Sequence, residues 1–254
     1  MLFRSAILDE AFAAIAKAKA NAQQNLKNAK ELFESYLQGV FENKGEGWEE
    51  KTLGEVGKVY MCKRILKEQT LPFGDIPFYK IGTFGKTPNA YISQEIYAEY
   101  ISKYSFPKKG DILLSASGTI GRSVIYNGEP AYFQDSNIVW IDNNEKQVLN
   151  EYLYKFYVIC NWNPSKGATI SRLYNDDLRR IKIPFPPLKT QQTIIRQLDA
   201  LSAETQKLET IYQQKINDLE ELKKSILQKA FSGELSSPEG VIDANDGHSP
   251  SKRV

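Results

Sequence analysis

Residues 31–41, ELFESYLQGVF, and residues 221–231, ELKKSILQKAF, are the ends of two copies of one longer segment. When residues 8–41 are aligned with residues 198–231, a shift of 190 residues without gaps, 12 of 34 positions are identical. Apolar residues in both copies recur at intervals of three and four, a spacing typical of a helix with one buried face. The repeat predicts two long helices, one on each side of the middle of the chain.

The apolar residues of each copy follow a heptad-like seam. The seam of the first copy is largely alanine and that of the second is bulky, so the two helices are predicted to pack closely. Because the middle domain joins the end of the first helix to the start of the second, the pair is predicted to be an antiparallel coiled coil about 50 Å long. A period of 3.5 residues predicts a left-handed supercoil. The predicted seams are Leu198, Leu201, Thr205, Leu208, Tyr212, Lys215, Leu219, Leu222 and Ile226, against Leu8, Ala11, Ile15, Ala18, Ala22, Asn25, Ala29, Leu32 and Tyr36.

The sequence between the helices has a different pattern. Short apolar runs bounded by Gly, Pro and Asn predict strands at residues 76–81, 112–114, 123–126 and 137–141, and residues 149–162 are typical of a buried helix. The proline-rich run at residues 183–187 is expected to be extended, with Thr190 as a possible N-cap of the second long helix. We predict an α+β chain: a helical region at residues 1–45, a mixed domain at 46–187, a helical region at 188–233 and a disordered tail at 234–254.

Composition excludes several kinds of chemistry. Apolar residues make up 41% of the chain, but no run of 20 is present, so no membrane helix is predicted. Arg4, Asp9 and Glu10 interrupt the N-terminal apolar segment, so no signal peptide is predicted and a cytoplasmic protein is expected. Cys62 and Cys160 are far apart in sequence, and His248 is the only histidine. A disulfide framework, a thiolate zinc site and histidine-based catalysis are therefore not expected, and no cofactor or metal is predicted.

Charge is distributed unevenly along the chain. Residues 51–190 hold 19 basic and 13 acidic residues, a net charge of +6, whereas the rest of the chain has a net charge of −4. A basic middle domain indicates a polyanionic partner.

Two glycine-containing stretches ending in arginine are candidates for phosphate contacts. Residues 115–122, SASGTIGR, form either a loop that presents backbone N–H groups and Arg122 to a phosphate or a simple hairpin with glycines at positive φ. Residues 167–172, GATISR, are similar. Asn175, Asp176 and Asp177 after them are interpreted as the N-cap and first turn of a helix.

Basic residues elsewhere in the middle domain lie among aromatic residues, a combination that suits nucleic acid. The predicted DNA-binding residues are Lys63, Arg64, Lys80, Lys86, Ser115, Ser117, Thr119, Arg122, Gln134, Lys166, Thr169 and Arg172.

Three stretches resemble signatures of the specificity subunits of type I restriction–modification systems. Residues 47–56 resemble the segment that opens a target recognition domain. Residues 118–122, together with Gln134 and Asn137, resemble an interior segment. Residues 177–188, together with Gln191, Gln192 and Ile195, resemble the exit into the distal helix. This resemblance covers residues 8–235.

The resemblance implies a sequence-specific, non-catalytic DNA-binding subunit. Its recognition domain would read one half of a bipartite site in double-stranded DNA, and its helices would dock methyltransferase subunits and, through them, the restriction subunit. S-adenosylmethionine, ATP and nuclease chemistry would belong to the other subunits. The alternatives are a self-contained DNA methyltransferase, for which no glycine-rich cofactor loop is evident, and a coiled-coil scaffold whose middle domain binds protein or glycan.

The chain has one recognition domain where a full subunit of this family carries two. It resembles a half-subunit, either a natural short form or a fragment. A homodimer is expected, because apolar residues gather at one end of an antiparallel helix pair. These residues are Leu2, Phe3, Leu8, Leu227 and Phe231.

Overall fold

The computed structural model describes residues 2–163, 165–166 and 171–232. One long helix precedes and another follows, in the sequence, a domain of short strands and helices, which confirms the α+β prediction. The tail at 234–254 lies outside the described residues. The helices are α1 (Leu2–Glu42), α2 (Leu53–Val56), α3 (Gln94–Lys103), α4 (Asn150–Ile159), α5 (Asn175–Arg180) and α6 (Leu188–Ser232). The strands are β1 (Glu49–Thr52), β2 (Lys58–Met61), β3 (Ile76–Tyr79), β4 (Tyr91–Ile92), β5 (Ile112–Ser115), β6 (Ser123–Ile125), β7 (Tyr132–Phe133), β8 (Ile138–Asp142), β9 (Ser165–Lys166), β10 (Ser171–Arg172) and β11 (Lys182–Phe185).

The four runs predicted as strands coincide with β3, β5, β6 and β8, and the predicted buried helix coincides with α4. Both predicted N-caps are wrong. The carbonyl of Pro187 accepts hydrogen bonds from the backbone N–H groups of Thr190 and Gln191, so α6 begins at Leu188 and Thr190 lies in its first turn. The N-cap of α5 is Tyr174, and Asn175 is its first helical residue. None of the helices in the described part of the chain is long and apolar enough to cross a membrane.

A four-stranded antiparallel sheet, in the order β2-β8-β5-β6, forms the centre of the domain. Successive side chains of a strand point to opposite faces of the sheet. Along β5, Ile112 and Leu114 join one hydrophobic core and Leu113 joins another; along β8, Val139 and Ile141 join the first core, and Ile138 and Trp140 join the second. The sheet is therefore covered on both faces.

The second core lies between this sheet and a three-stranded sheet in the order β4-β3-β7. In the three-stranded sheet, β3 pairs antiparallel with β4 and parallel with β7. Aromatic rings fill much of the space: Phe106 packs edge-on against Tyr97 and Tyr126 and stacks on Tyr132. The chain passes from this sheet to the central one between β7 and β8, through residues 134–137.

The chain enters and leaves the domain at one place. β1 and β11 pair antiparallel in a register from Glu49 opposite Phe185 to Thr52 opposite Lys182, and the N–H of Leu53 donates to the carbonyl of Ile181. Leu53 is fully buried at this joint. The paired strands β1 and β11, here called the clasp, therefore hold the two ends of the domain together. Residues 47–56, the first of the stretches that resemble the family, contain β1 and Leu53.

Contacts divide the chain into two compact units, one of residues 31–204 and one of the residues up to Lys30 together with those from Thr205 onward. In the first unit, the end of α1 packs on α4. The ring of Phe41 lies 5.1 Å from that of Tyr152 and 5.6 Å from that of Phe156. The start of α6 joins the same core through Ile194, Ile195 and Leu198.

A buried glutamine ties the start of α6 to the domain. The side-chain oxygen of Gln191 accepts from the N–H of Leu149 at 2.9 Å, next to the start of α4. Its side-chain nitrogen donates to the carbonyls of Gln147 at 2.9 Å and Pro186 at 2.8 Å. Since unpaired polar groups are costly in a protein interior, this one side chain satisfies three backbone groups that the fold has removed from water.

The helices in the other unit are antiparallel, as predicted. The Lys19 ammonium lies 2.6 Å from the Glu220 carboxylate, and the Lys223 ammonium lies 5.9 Å from the Phe12 ring. A lower residue number in α1 therefore meets a higher number in α6.

The predicted seam of α6 is wrong at alternate positions. Thr205 and Ile216 are buried, but Leu208 and Leu222 of the predicted seam are exposed. The covered face instead follows the equally regular spacing 205, 209, 212, 216 and 219. The prediction chose the more apolar of two faces, and part of that face is left uncovered.

The predicted seam of α1 is wrong at Asn25, Leu32 and Tyr36, whereas Ala29 is buried as predicted. The covered residues are Ile15, Ala18, Ala22, Leu26 and Ala29, rather than a set that includes Asn25. In the other unit the same pattern continues through Phe33 and Leu37, while Leu32 and Tyr36 are exposed. Intervals of three, four and four give α1 an eleven-residue repeat, whereas the covered face of α6 keeps the seven-residue spacing, so the two helices do not share the single period that was predicted.

We predict that Ala22→Leu lowers the free energy of unfolding by about 1–3 kcal/mol, because the buried alanine leaves no room for a larger side chain. Ala20→Leu, at an exposed position of α1, is the matched control and is expected to change it by less than about 0.5 kcal/mol. Denaturant titration measures both. Equal midpoints for the two variants would contradict the close packing of this seam.

We also predict that Gln191→Ala lowers the free energy of unfolding by about 3 kcal/mol, because it leaves three buried backbone groups unpaired. The neighbouring Gln192→Ala, on the exposed side of α6, is expected to have little effect. The same denaturant titration tests this pair, and a neutral Gln191→Ala variant would show that water replaces the amide without loss.

Candidate nucleic-acid interface

The connection between the two sheets, residues 134–137 (Gln-Asp-Ser-Asn, here called the crossing turn), is the structural centre of the candidate site. It joins β7 of one sheet to β8 of the other. Its third residue, Ser136, has φ of 52°, in the left-handed region that residues other than glycine seldom adopt.

Gln134 and Asn137 hold the crossing turn from its two ends. The side-chain oxygen of Gln134 accepts from the N–H of Ile81 at 2.8 Å, just beyond β3. The side-chain oxygen of Asn137 accepts from the hydroxyl of Ser117 at 2.7 Å, and the carbonyl of Asn137 accepts from the N–H of Ala116. Both side chains are therefore committed to the scaffold through their oxygen atoms.

On one side of the crossing turn lies a basic cavity of about 260 Å³, here called cavity A. The Arg64 Nε donates to the Asp135 carboxylate at 2.9 Å. The Arg64 side chain is 67% exposed, so the ion pair orients a guanidinium whose other N–H groups face solvent. Its lining residues are Arg64, Ile65, Lys67, Thr70, Phe78, Lys80, Gln134, Asp135, Ser136 and Asn137.

On the other side lies a second cavity of about 450 Å³, here called cavity B. The guanidinium of Arg172 donates to the carbonyl of Ser136 at 3.2 Å and lies 5.8 Å from the ring of Tyr174. Its lining residues are Met61, Ser136, Arg172, Leu173, Tyr174, Asn175, Asp176 and Arg179. Ser136 lines both cavities and separates them.

The two cavities are rich in hydrogen-bond donors and positive charge. Guanidinium and ammonium groups of this kind contact phosphates and the acceptor atoms of bases. Within the part of the chain that the structure describes, no three or more His, Cys, Asp or Glu side chains are placed to hold a metal ion. Burial raises the pKa of the Cys62 thiol, which lies in the core, to about 12, so this cysteine stays protonated at neutral pH. The arrangement is chemically suited to binding a polyanion.

Four of the residues predicted to bind DNA line the two cavities: Arg64, Lys80 and Gln134 in cavity A, and Arg172 in cavity B. Ser117 supports the crossing turn from behind. Lys63 lines neither cavity, and its ammonium lies 5.1 Å from the ring of Tyr104.

The remaining predicted residues lie elsewhere. Lys86 lines a separate cavity of about 270 Å³ beside Tyr79, Phe84 and Tyr126. Thr119 is exposed at the tip of the hairpin between β5 and β6. The side chain of Lys166 and the whole of Thr169 lie outside the described residues.

Residues 115–122 have the hairpin geometry that the sequence left as one of two alternatives. β5 and β6 pair antiparallel, and Gly118 and Gly121 have φ of 66° and 88°. A Cβ at Gly121 would lie 2.3 Å from the indole nitrogen of Trp162, so this position also requires glycine for the close approach of the ring.

Ser115 and Arg122 are used inside this hairpin. Ser115 is 1% exposed; its hydroxyl donates to the carbonyl of Thr119 and accepts from the N–H of Arg122. The guanidinium of Arg122 donates to the carbonyl of Phe84 at 2.9 Å. Since these groups are occupied by the fold, we leave Ser115 and Arg122 out of the proposed DNA-binding set.

Sequence reasoning missed Lys67 in cavity A, and Ser136 and Tyr174 around cavity B. Lys67 lies in a single turn of 3₁₀ helix without a recognisable motif. Ser136 carried one usable signal, since it stands between Gln134 and Asn137, both of which had been singled out.

A family model described as "Type I restriction modification DNA specificity domain" matches residues 45–221. A Haemophilus influenzae protein provisionally named a type I restriction enzyme specificity subunit is 67% identical over 147 residues, which are 58% of this chain and 38% of that protein. The StySPI specificity subunit of Salmonella potsdam is 26% identical over 207 residues, covering 75% of this chain and 44% of that protein.

Solved structures share the fold. A chain from work on complex assembly and conformational transition of the type I R-M system has a TM-score of 0.72 at 22% identity, over 91% of this chain and 58% of that chain. The HsdS subunit of Thermoanaerobacter tengcongensis has a TM-score of 0.62 at 20% identity, over 91% of this chain and 57% of that one. The chain thus spans less than half the length of the two sequence relatives above.

We predict that Arg122→Ala lowers the free energy of unfolding by about 1–3 kcal/mol, because the Phe84 carbonyl loses a charged donor. Lys86→Ala removes an exposed positive charge near Phe84 and is expected to leave stability within about 0.5 kcal/mol. Denaturant titration compares the two. An Arg122→Ala variant as stable as the parent would return Arg122 to the candidates for DNA contact.

Proposed function

Because the chain belongs to the type I restriction–modification DNA specificity family, we propose that it binds a specific sequence in double-stranded DNA through the crossing turn and cavities A and B. The observation that carries the proposal is the placement of two arginines, one on each side of the crossing turn and each held by a hydrogen bond to it. Arg64 bonds to Asp135, and Arg172 bonds to the carbonyl of Ser136. Arginines fixed in this way are suited to reading base edges and to positioning on phosphates.

In this proposal the chain supplies recognition and carries out no reaction. Methyl transfer and DNA cleavage belong to methyltransferase and restriction subunits, which the chain recruits. The long helices are the proposed docking platform for methyltransferase subunits. Support comes from the uncovered apolar side chains of α6, Leu208, Ile211 and Leu222, which recur on one side of the helix outside its covered face.

We further propose that two copies associate in the functional complex and place two recognition domains on an interrupted palindrome. Phe231 supports this. Its counterpart in the repeat, Phe41, is buried against Tyr152 and Phe156, whereas Phe231 is 88% exposed. Leu2, Phe3, Leu8 and Leu227 complete the predicted apolar end, although the side chains of Leu2 and Phe3 lie outside the described residues.

Titration of a labelled mixed-sequence duplex with the full chain at several salt concentrations tests DNA binding. The logarithm of the association constant is expected to fall steeply with that of salt, by about 0.9 per phosphate contacted. Arg64→Ala and Arg172→Ala are each expected to weaken binding by roughly 1–3 kcal/mol. Lys207→Ala, which removes an exposed charge from α6, is the charge-matched control. An affinity for DNA that changes neither with salt concentration nor with the two arginine substitutions would contradict the proposal. Methyl transfer to DNA by the pure chain would also contradict it.

Sedimentation equilibrium tests the association of two copies. A mass near twice 28.9 kDa is expected at high concentration, with Phe231→Ser shifting the equilibrium toward the monomer. A mass near 28.9 kDa at every concentration, together with a non-palindromic methylated motif in cells, would contradict it.

A further inference from the structure

We infer that Ser136, the third residue of the crossing turn, is a specificity-determining residue whose hydroxyl contacts a base of the bound DNA. The inference rests on the proposed function and goes further by assigning one reading group. It starts from the position of the residue: Ser136 lines both cavity A and cavity B, between the guanidinium of Arg64 and that of Arg172. A duplex that spans both cavities must pass over it.

The backbone of Ser136 is held in place from all sides. Its carbonyl accepts from Arg172, and its neighbour Asp135 accepts from Arg64. The N–H of Ile138 donates to the carbonyl of Gln134 and closes the crossing turn. The side-chain oxygens of Gln134 and Asn137 are anchored on Ile81 and Ser117. Residues on both sides of Ser136 are thus fixed by hydrogen bonds to the rest of the domain, so the backbone that carries the Ser136 side chain is held in one position.

The side chain of Ser136 has no structural task of its own. Within the described residues its hydroxyl makes no hydrogen bond, in contrast to the hydroxyls of Ser115 and Ser117, which are both engaged. Its backbone lies at φ 52°, where glycine is accommodated without strain and a residue with a Cβ is disfavoured. A side chain that strains the backbone and bonds to nothing in the protein is explained by a contact made with the ligand.

A serine hydroxyl both donates and accepts, so it can pair with either kind of group on a base edge. The arginines on each side supply donors alone. Ser136 therefore places a group that can accept as well as donate on the shared border of the two cavities, beside the Asp135 carboxylate that is paired with Arg64.

The test uses the full chain and a pool of duplexes with a randomised central segment of about 20 base pairs. Bound duplexes are sequenced, and affinity for a fixed mixed-sequence duplex is measured in parallel. Ser136→Ala removes the hydroxyl and keeps the strain, while Ser136→Gly removes both. Ser102→Ala, on α3, is the matched control, because its hydroxyl bonds only the carbonyl of Glu99 among the described groups.

We expect the parent to enrich one motif. In both Ser136 variants, the base preference at one or two adjacent positions of the motif is expected to fall about three- to tenfold, while the preference at the other positions is unchanged. Their affinity for the mixed-sequence duplex is expected to stay within about twofold of that of the parent. The unfolding midpoint of Ser136→Gly is expected to equal or exceed that of the parent, which shows that the fold is intact. The Ser102→Ala variant is expected to enrich the parental motif.

Two results would overturn the assignment alone: an unchanged motif in both Ser136 variants, or a uniform loss of preference at every position, which indicates a structural role. A parent chain that enriches no motif would overturn the proposed function together with this inference.

Discussion

The antiparallel pairing of β1 with β11 is the constraint on which the rest of the chain depends. These strands are 136 residues apart from Glu49 to Phe185, yet they are hydrogen-bonded neighbours. Since α1 ends just before β1 and α6 begins just after β11, the pairing brings the end of α1 and the start of α6 close together. The two helices therefore leave the domain in opposite chain directions. Gln191 secures the start of α6 by satisfying three backbone groups from two segments, residues 147–149 and Pro186.

The position of the candidate site follows from the way the two sheets are stacked. The inner strands of the central sheet, β5 and β8, are buried on both faces, so they have no exposed face on which to carry a ligand site. Polar groups can gather only where the chain leaves the layers, and the crossing turn between β7 and β8 is such a place. Segments from different parts of the sequence reach this edge and supply the basic side chains of cavities A and B, which are Arg64, Lys67, Lys80, Arg172 and Arg179.

The segments that revealed the family are mostly scaffold, and this explains what could be predicted. Leu53 closes the clasp, Gly121 makes room for Trp162, and Gln191 ties α6 to α4. Such positions have strict physical requirements and therefore leave a recognisable pattern. Ser136 and Lys67 line the cavities, and no periodicity of the sequence marks them. The family and its fold were therefore accessible from sequence, whereas Lys67, Ser136 and Tyr174 of the cavities were not. The predicted seam of α6 failed at Leu208 and Leu222 because this helix has two equally regular faces, and part of the more apolar one is left uncovered.

The clasp also sets the order in which the chain can assemble. Joining two chain segments separated by about 136 residues costs roughly 4 kcal/mol of loop-closure entropy, and the contact between Lys19 and Glu220 spans 201 residues. If the helices had to find each other first, they would bear this cost with few contacts to offset it. Once the domain between them has folded, its clasp holds the helix ends together, and pairing becomes a local event with a high effective concentration. The coiled coil is therefore conditional on the domain: pairing spreads outward from the clasp, and the ends farthest from it are the last to close and the first to open.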